Sequence, residues 1–226
     1  MMGVFFTIPI FLQTVLGFSA LKAGAVMSPM SVAVMIAAPL AGRLSDRLGS
    51  RWLITAGMLL LALGIAWMAG LNPSGQGLQP STGVGDLLLP FMLAGLGIGM
   101  AIAPTTSAVM ATAPPDRVGN ASGVLSTVRQ LGSLMGIAVL GAVLQNRLAY
   151  NVETGVDAIP GLPAPVKRMI IDGVAEGAGP MSPPAGADEQ TGAMAESFAT
   201  LFQGWFTEVV NTTFVVAAVV CLVGAA

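Results

Sequence analysis

The chain has 226 residues, of which 54% are hydrophobic and 9% are charged, and its formal net charge is −2. Soluble domains carry about 25% charged residues, so this composition cannot cover a water-facing surface and indicates an integral membrane protein. The weak negative charge argues against nucleic-acid binding, and the lack of histidine together with a single cysteine excludes a histidine-ligated metal site and an intrachain disulfide.

Six long apolar runs predict six transmembrane α-helices. A hydrocarbon core of about 30 Å requires about 20 apolar residues as a helix, whereas barrel strands would alternate in hydrophobicity. The predicted spans are 1–18, 23–42, 52–71, 87–112, 120–145 and 208–226. The first and last spans look truncated, because neither has a charged or interfacial flank at the chain end. We therefore expect a fragment or a truncated gene product, and favour this over a complete short protein.

These spans divide the chain into three regions. Residues 1–145 hold five helices, residues 146–207 form an extracytoplasmic loop, and residues 208–226 form the sixth helix. Within the loop, Val166, Met169, Ile170 and Val174 share one helical face, which predicts a short amphipathic helix over the external mouth. A passive loop is the alternative, and we favour it.

The segment GRLSDRLGSR, between the second and third spans, concentrates positive charge. It contains Arg43, Arg47 and Arg51, and the next loop on the same side contains Arg117. Lys22 is the only cation in the short loops on the opposite side. Because positively charged short loops stay in the cytoplasm, both termini are predicted to be cytoplasmic and the protein to be a multi-pass protein of the cell (inner or plasma) membrane.

Charge alone does not explain the glycines and the aspartate of this segment. A tight loop between two antiparallel spans needs glycine, which suits Gly42 and Gly49. Asp46 is predicted to cap the next helical turn and to pair with Arg47 or Arg51. Such a pair would latch one helix end to its neighbour.

The pattern Gly-x-Leu-x-Asp-Arg-x-Gly-x-Arg resembles the cytoplasmic loop signature of the major facilitator superfamily. In that family the loop follows the second helix of each six-helix half and takes part in the switch between inward- and outward-facing states. The chain departs from the pattern at Ser50, where the family often has a second basic residue. The resemblance implies a conformational-switch role for Gly42, Arg43, Asp46, Arg47, Gly49 and Arg51.

Two further segments resemble a narrower group, the fourteen-helix drug:proton antiporters. Arg129-Gln130-Leu131-Gly132 resembles part of their penultimate helix, and residues 9–24 resemble the end of the first helix of their C-terminal half. The resemblance implies an all-α half of a facilitator fold that exports drugs or other small amphipathic compounds by proton antiport with alternating access. Its partners would be the lipid bilayer, the substrate, the proton, and an N-terminal half from the same chain or a second chain.

A polar stripe runs along the fifth span. Ser122, Ser126, Arg129, Ser133 and Gly136 recur at steps of four and three residues, which places them on one helical face. Arg129 lies about 13 Å along the helix from residue 120, where an arginine is costly unless it faces a wet cavity or snorkels. Both alternatives remain open: a cavity or gate residue, or an arginine that reaches the cytoplasmic surface and binds helix-end carbonyls.

The predicted cavity includes further polar residues and closely packed helices. Its candidate residues are Gln13, Ser126, Arg129, Gln130 and Ser133. Gln13 is the only strongly polar side chain within the first span, and interhelical hydrogen bonding is its alternative role. The Gly-x-x-x-Gly pairs Gly95–Gly99 and Gly132–Gly136 are predicted to let helices pack closely.

The sequence offers no machinery for catalysis or, by itself, for proton coupling. No nucleophile–base pair, metal-ligand cluster or phosphate-binding motif is present, so we predict no enzyme activity, no metal and no cofactor. No carboxylate lies in the middle of a predicted span: Asp86 and Glu208 are placed at external helix ends, and Asp46 and Asp116 in cytoplasmic loops. Two alternatives to a drug antiporter remain: a six-helix scaffold or half-transporter subunit without transport of its own, and a facilitator permease for a different solute.

Overall fold

A computed structural model describes residues 2–72, 77–157 and 189–225, and in this part of the chain the regular structure is entirely helical. The α-helices are α1 (Met2–Thr14), α2 (Ala20–Leu48), α3 (Ser50–Met68), α4 (Val84–Thr112), α5 (Val118–Asp157) and α6 (Glu189–Ala225), and a 3-10 turn (Pro115–Arg117) precedes α5. Helices α2 to α6 contain the 5 segments long and apolar enough to cross a membrane, and α1 is a shorter apolar helix of 13 residues. The all-α membrane class predicted from the sequence is confirmed.

Helix α4 lies between α2 and α3, and glycines bring the three backbones into contact. A Cβ atom at Gly97 would lie 2.5 Å from the amide nitrogen of Leu61 and 2.6 Å from the carbonyl oxygen of Gly57. On the other side of α4, a Cβ atom at Gly99 would lie 2.7 Å from Cβ of Ala37, and one at Gly95 would overlap the backbone of α2. Any side chain at these positions would therefore force the helices apart.

Helix α6 is joined by hydrogen bonds to the start of α3 and to the connection that follows α3. Thr55, near the start of α3, donates from Oγ1 to the carbonyl oxygen of Ala225 at 3.3 Å. Asn211, near the middle of the apolar span Thr200–Ala225, bonds to the backbone of Leu78 in the α3–α4 connection. Because these contacts occur in opposite order along the two chain segments, α3 and α6 run antiparallel.

Helices α5 and α6 are longer than the spans predicted from the sequence. They contain 40 and 37 residues, which correspond to about 60 and 55 Å and exceed a hydrocarbon core of about 30 Å. Residues 146–157 and 189–207, predicted to be loop, are helical. The mean hydropathy falls in these segments, so the sequence pattern predicted that the helices end before them. Buried apolar side chains, among them Val152, Phe202 and Phe206, nevertheless hold the helices together. The predicted amphipathic helix around Val166 lies outside the described residues.

The charged segment between α2 and α3 is not a ten-residue loop. Helix α2 continues to Leu48 and α3 begins at Ser50, so the turn consists of Gly49, whose φ of 85° and ψ of 145° favour glycine. The Gly49 amide donates to the carbonyl oxygen of Ser45 at 3.0 Å, and the hydroxyls of Ser45 and Ser50 are 2.9 Å apart. This turn holds the two helices in a short antiparallel pair.

One detail predicted for this segment is wrong. Gly42 lies within α2 without a positive φ, so it has no turn role. A single glycine suffices for the reversal, and helix α2 extends through the rest of the segment. The N-cap position of α3 is Gly49, and capping by Asp46 stays a prediction.

Replacement of Gly97 tests the close packing of α4. We expect Gly97→Ala to lower stability by about 1–3 kcal/mol, because the added methyl meets backbone atoms that cannot rotate away. Gly85→Ala, in the same helix, is the matched control because its Cβ would meet nothing within 4 Å. Thermal unfolding in detergent measures both variants, and equal midpoints for the two would contradict the packing described.

Replacement of Gly49 tests the one-residue turn. Gly49→Ala is expected to destabilise the protein by about 1–3 kcal/mol, since its backbone conformation is one that residues with a Cβ rarely adopt. Gly42→Ala has open space around it within a helix and should be neutral or slightly stabilising. The same unfolding measurement applies, and a Gly49→Ala midpoint equal to that of wild type would show that the turn tolerates a side chain.

Candidate functional site

A continuous polar ridge occupies the N-terminal half of α5. The hydroxyl of Ser133 donates to the carbonyl oxygen of Arg129 at 2.8 Å, and Nε2 of Gln130 donates to Oγ of Ser126 at 3.4 Å. All four residues belong to the predicted cavity set, and three of them are classed as exposed while Ser133 is partly buried. The side chains of α5 therefore present hydroxyl, amide and guanidinium groups along one stretch of the helix that the other described helices do not cover.

Arg129 connects this ridge to α4. Its Nη2 donates to Oγ1 of Thr106 at 2.8 Å, and the same hydroxyl donates to the carbonyl oxygen of Ile102 at 2.9 Å. A hydroxyl has one donor hydrogen and two lone pairs, so Thr106 satisfies both bonds at once. The guanidinium is thus held in place by a neutral partner that does not compensate its charge.

The guanidinium binds a side chain of α4 and not a helix end. Arg129 lies eleven residues, or about 16 Å, from the first residue of α5, and Thr106 lies about 9 Å from the last residue of α4. The side chain therefore extends toward the α4–α5 connection but binds a hydroxyl inside α4. Among the described residues, no hydrogen bond joins the guanidinium to a helix-end carbonyl, and its cavity role stays a prediction.

Among the described residues, no carboxylate forms an ion pair with Arg129. Asp86 accepts from the amide of Gly83 at 3.0 Å, and Asp116 forms an exposed pair with Arg117 at 3.5 Å. Glu208 lies inside α6, three residues, or about 4.5 Å, from Asn211, which bonds the α3–α4 connection. Of the described carboxylates, the exposed Glu208 is the one deepest in an apolar span, eight residues into Thr200–Ala225.

Gln13 and Arg129 are not brought together. Helix α1 meets α5 where a Cβ atom at Gly3 would lie 2.8 Å from the carbonyl oxygen of Gly136. Successive helices alternate in direction, so α1 and α5 run parallel, and Gln13 and Arg129 lie on opposite sides of this contact, about 25 Å apart along the axes. Gln13 instead donates from Nε2 to the carbonyl oxygen of Pro9 at 3.2 Å.

The two predicted glycine pairs have different surroundings. Gly95 and Gly99 face α2 closely, as described above, whereas a Cβ atom at Gly132 or Gly136 would meet nothing within 4 Å among the described residues. Contact through the second pair stays a prediction for a partner outside this part of the chain. Sequence reasoning did not single out Gly3, although it is the glycine that lets α1 approach α5.

The arginines of the switch segment surround the Gly49 turn. Arg43 and Arg47 are exposed near the end of α2, and Arg51 is exposed in the first turn of α3. The side chain of Asp46 lies outside the described part of the structure. Its pairing with Arg47 or Arg51 therefore stays a prediction.

Asn211 is a structural residue that sequence reasoning missed. Its Oδ1 accepts from the amide of Leu78 and its Nδ2 donates to the carbonyl oxygen of Leu78, both at 3.1 Å. The amide thereby pairs with both backbone groups of one residue and ties the α3–α4 connection to α6. An asparagine within the apolar run VVNTTF was the available signal, because polar side chains between membrane helices form interhelical hydrogen bonds.

Two concave surfaces adjoin α4. A mostly apolar groove of about 300 Å³ lies between α2 and α4 and is lined by Ser28, Pro29, Val32, Ala33, Ile36, Met92 and Leu96. A second cavity of about 440 Å³ lies beside the α3–α4 connection, and its lining includes Trp67, Asn72, Gln79, Thr82, Asp86 and Pro90. The groove offers apolar contact between two membrane helices, and the second cavity lies at the end of α3 and the start of α4.

The sequence resembles those of membrane transporters over most of its length. The model of the Major Facilitator Superfamily matches residues 1–137. The chain is 34% identical over 161 residues to the multidrug resistance protein Stp of Mycobacterium tuberculosis. The aligned region covers 71% of this chain and 28% of that protein. It is 31% identical over 227 residues to the tetracenomycin C resistance and export protein of Streptomyces glaucescens, covering 99% of this chain and 40% of that protein.

A third relative is named for a different solute. The riboflavin transporter RibZ of Clostridioides difficile is 29% identical over 150 residues, which covers 66% of this chain and 31% of that protein. The chain thus spans between 28% and 40% of the length of these three relatives. The family match and the relatives' names indicate a transporter and not an enzyme. Together with the apolar helices and the polar ridge on α5, they show that this chain belongs to the Major Facilitator Superfamily.

Proposed function

We propose that this chain is part of a secondary active transporter that exports drugs or other small amphipathic compounds by proton antiport with alternating access. The bridge from Arg129 to Thr106 is the observation that carries the proposal, because it keeps a cation on an open polar ridge inside otherwise apolar helices. Intramembrane cations generally face a bundle interior or a water-filled path. The family and the names of two relatives support export of antibiotic-like compounds.

The surfaces beside α4 suit an amphipathic substrate. The ridge on α5 offers hydrogen-bonding groups, and the groove between α2 and α4 offers apolar contact. In the proposed transporter both surfaces face a central cavity that a second six-helix half closes, with Gln13 contributing from α1. That half would come from the same chain in a longer protein or from a second chain.

The Gly49 turn would serve as part of the conformational switch. A one-residue connection makes α2 and α3 move as a unit, and the exposed Arg43, Arg47 and Arg51 would contact the other half on the cytoplasmic side. In this orientation both termini are cytoplasmic, the region between α5 and α6 is external, and the protein lies in the cell membrane. Alternating access would then consist of rocking between the halves.

Proton binding is assigned to the other half. The described apolar spans offer one carboxylate away from their ends, the exposed Glu208, and a coupled exchanger needs a group that binds a proton within the membrane. The six helices would supply substrate contacts and the switch, while the partner half supplies the proton site.

A permease for a different solute is the second candidate, favoured by the similarity to a riboflavin transporter. The two candidates differ in proton coupling. A six-helix scaffold without transport is a third possibility, and the vesicle experiment described next distinguishes it from both.

The deciding experiment uses everted membrane vesicles that contain the complete gene product. After respiration has acidified the lumen, addition of tetracenomycin C or another amphipathic antibiotic should release part of the pH gradient, read from the recovery of a quenched acridine dye. Vesicles without the protein are the control. Substrate uptake that leaves the gradient unchanged would favour the permease, and neither uptake nor proton release would favour the scaffold.

Neutralisation of Asp46 tests the switch. Asp46→Asn is expected to slow transport about tenfold in the same vesicles, because loss of a charge-assisted hydrogen bond weakens one conformational state. Asp116→Asn is the matched control, since its ion pair with Arg117 is exposed and contributes little. Unchanged transport by Asp46→Asn would remove the aspartate from the switch.

A further inference from the structure

We propose that Arg129 binds a carboxylate of the transported compound, so that the transporter prefers amphipathic acids. This inference rests on the proposed export function and specifies the chemical class of its substrate. It concerns the α4–α5 bridge and the ridge beside it.

The first support is the uncompensated charge of Arg129. Among the described residues no carboxylate forms an ion pair with it, and the guanidinium's partner is the neutral hydroxyl of Thr106 at 2.8 Å. A cation within a low-dielectric region is unfavourable without an opposite charge. An anion that enters this site would be stabilised more strongly than a neutral or cationic compound of the same shape.

The second support is the orientation of the guanidinium. The hydroxyl of Thr106 takes one hydrogen bond from Nη2 and is itself fixed by the bond to Ile102. Within the described part of the chain, most of the five N–H donors of the guanidinium have no partner, and they form the planar fork that matches a carboxylate with two parallel hydrogen bonds. Thr106 thus acts as a positioning residue for an anion-binding arginine.

The third support comes from the neighbours of Arg129. Ser126, Gln130 and Ser133 carry neutral polar groups, so the ridge adds hydrogen bonding without a second charge. Further along α4, the mostly apolar groove against α2 begins at Leu96, ten residues or about 15 Å from Thr106, and suits the hydrocarbon part of a ligand that spans this distance. The expected substrate therefore has one acidic group on an otherwise apolar body.

The same guanidinium chemistry would suit a carboxylate of the protein itself, located in the other half. The two sources differ in one respect. A substrate carboxylate makes Arg129 important for acids only, whereas a protein carboxylate makes it equally important for every substrate.

The test compares two dyes that share one ring system: rhodamine B, which has a free carboxylate, and its ethyl ester. Energised accumulation of each dye is measured in everted vesicles containing the complete gene product, and the signal of vesicles without the protein is subtracted. Wild-type protein should accumulate the acid faster than the ester. Arg129→Gln should lower accumulation of the acid about tenfold and of the ester less than about twofold.

Two further variants guard against a folding defect. Arg129→Lys keeps the charge but lacks the planar fork, so it should retain part of the acid transport. Thr106→Val should lower acid transport selectively, because the guanidinium loses its anchor while its charge remains. Arg147→Gln is the matched control: it removes the same charge from an exposed site five helical turns further along α5, and both dyes should behave as in wild type.

Each outcome has a definite meaning. An equal loss of both dyes in Arg129→Gln overturns the inference in favour of a protein carboxylate or a structural role, while the proposed export function stands. Preference of the wild-type protein for the ester also overturns it. Accumulation of neither dye by wild-type protein contradicts the export function itself, and with it the substrate class.

Discussion

The close backbone contact of α4 with α2 and α3 is the constraint on which the rest of the structure depends. Lipid tails are as apolar as leucine side chains, so membrane helices gain little from apolar burial against one another and rely on packing and hydrogen bonds. Gly57 and Gly97 remove the side chains that would separate α3 from α4, and Gly99 does the same toward α2. Once α4 is held between these helices, Thr106 and the groove beside α2 have defined positions.

Polar side chains form hydrogen bonds around the helices that this packing brings together. Asn211 uses its amide to tie the α3–α4 connection to α6, and the turn at Gly49 uses backbone and serine hydroxyls to reverse the chain. Both devices satisfy their own hydrogen bonds within the described residues. Arg129 differs, because its bond to Thr106 leaves a net charge inside the membrane segment. An arginine that is held by a neutral hydroxyl within a described membrane segment is consistent with a site that meets a partner from outside these helices.

Helices α5 and α6 each consist of an apolar membrane segment and a less apolar extension, and different interactions maintain the helix in the two parts. Within the membrane their backbone must be hydrogen-bonded internally, which favours a helix regardless of side-chain detail. Beyond the apolar segment that demand ends, yet the helices continue because Val152, Phe202 and Phe206 bury apolar surface between them. The same chain segment thus passes from a region that requires helix to one where packing alone maintains it.

The sequence by itself determined the membrane class, the approximate positions of the long apolar helices, the polar stripe around Arg129 and the family resemblance. These depend on composition and on the helical period, both of which are local properties. Tertiary structure alone decided that Thr106 binds Arg129, that Gly3 and Gly97 mediate contacts, and that α5 and α6 extend past their apolar segments. Such features depend on which residues meet across the fold, so hydropathy placed the end of α5 near Gln145 although the helix reaches Asp157. Gly49 lies between the two cases: its residue type indicated a turn, but only the structure showed that the turn needs no other residue.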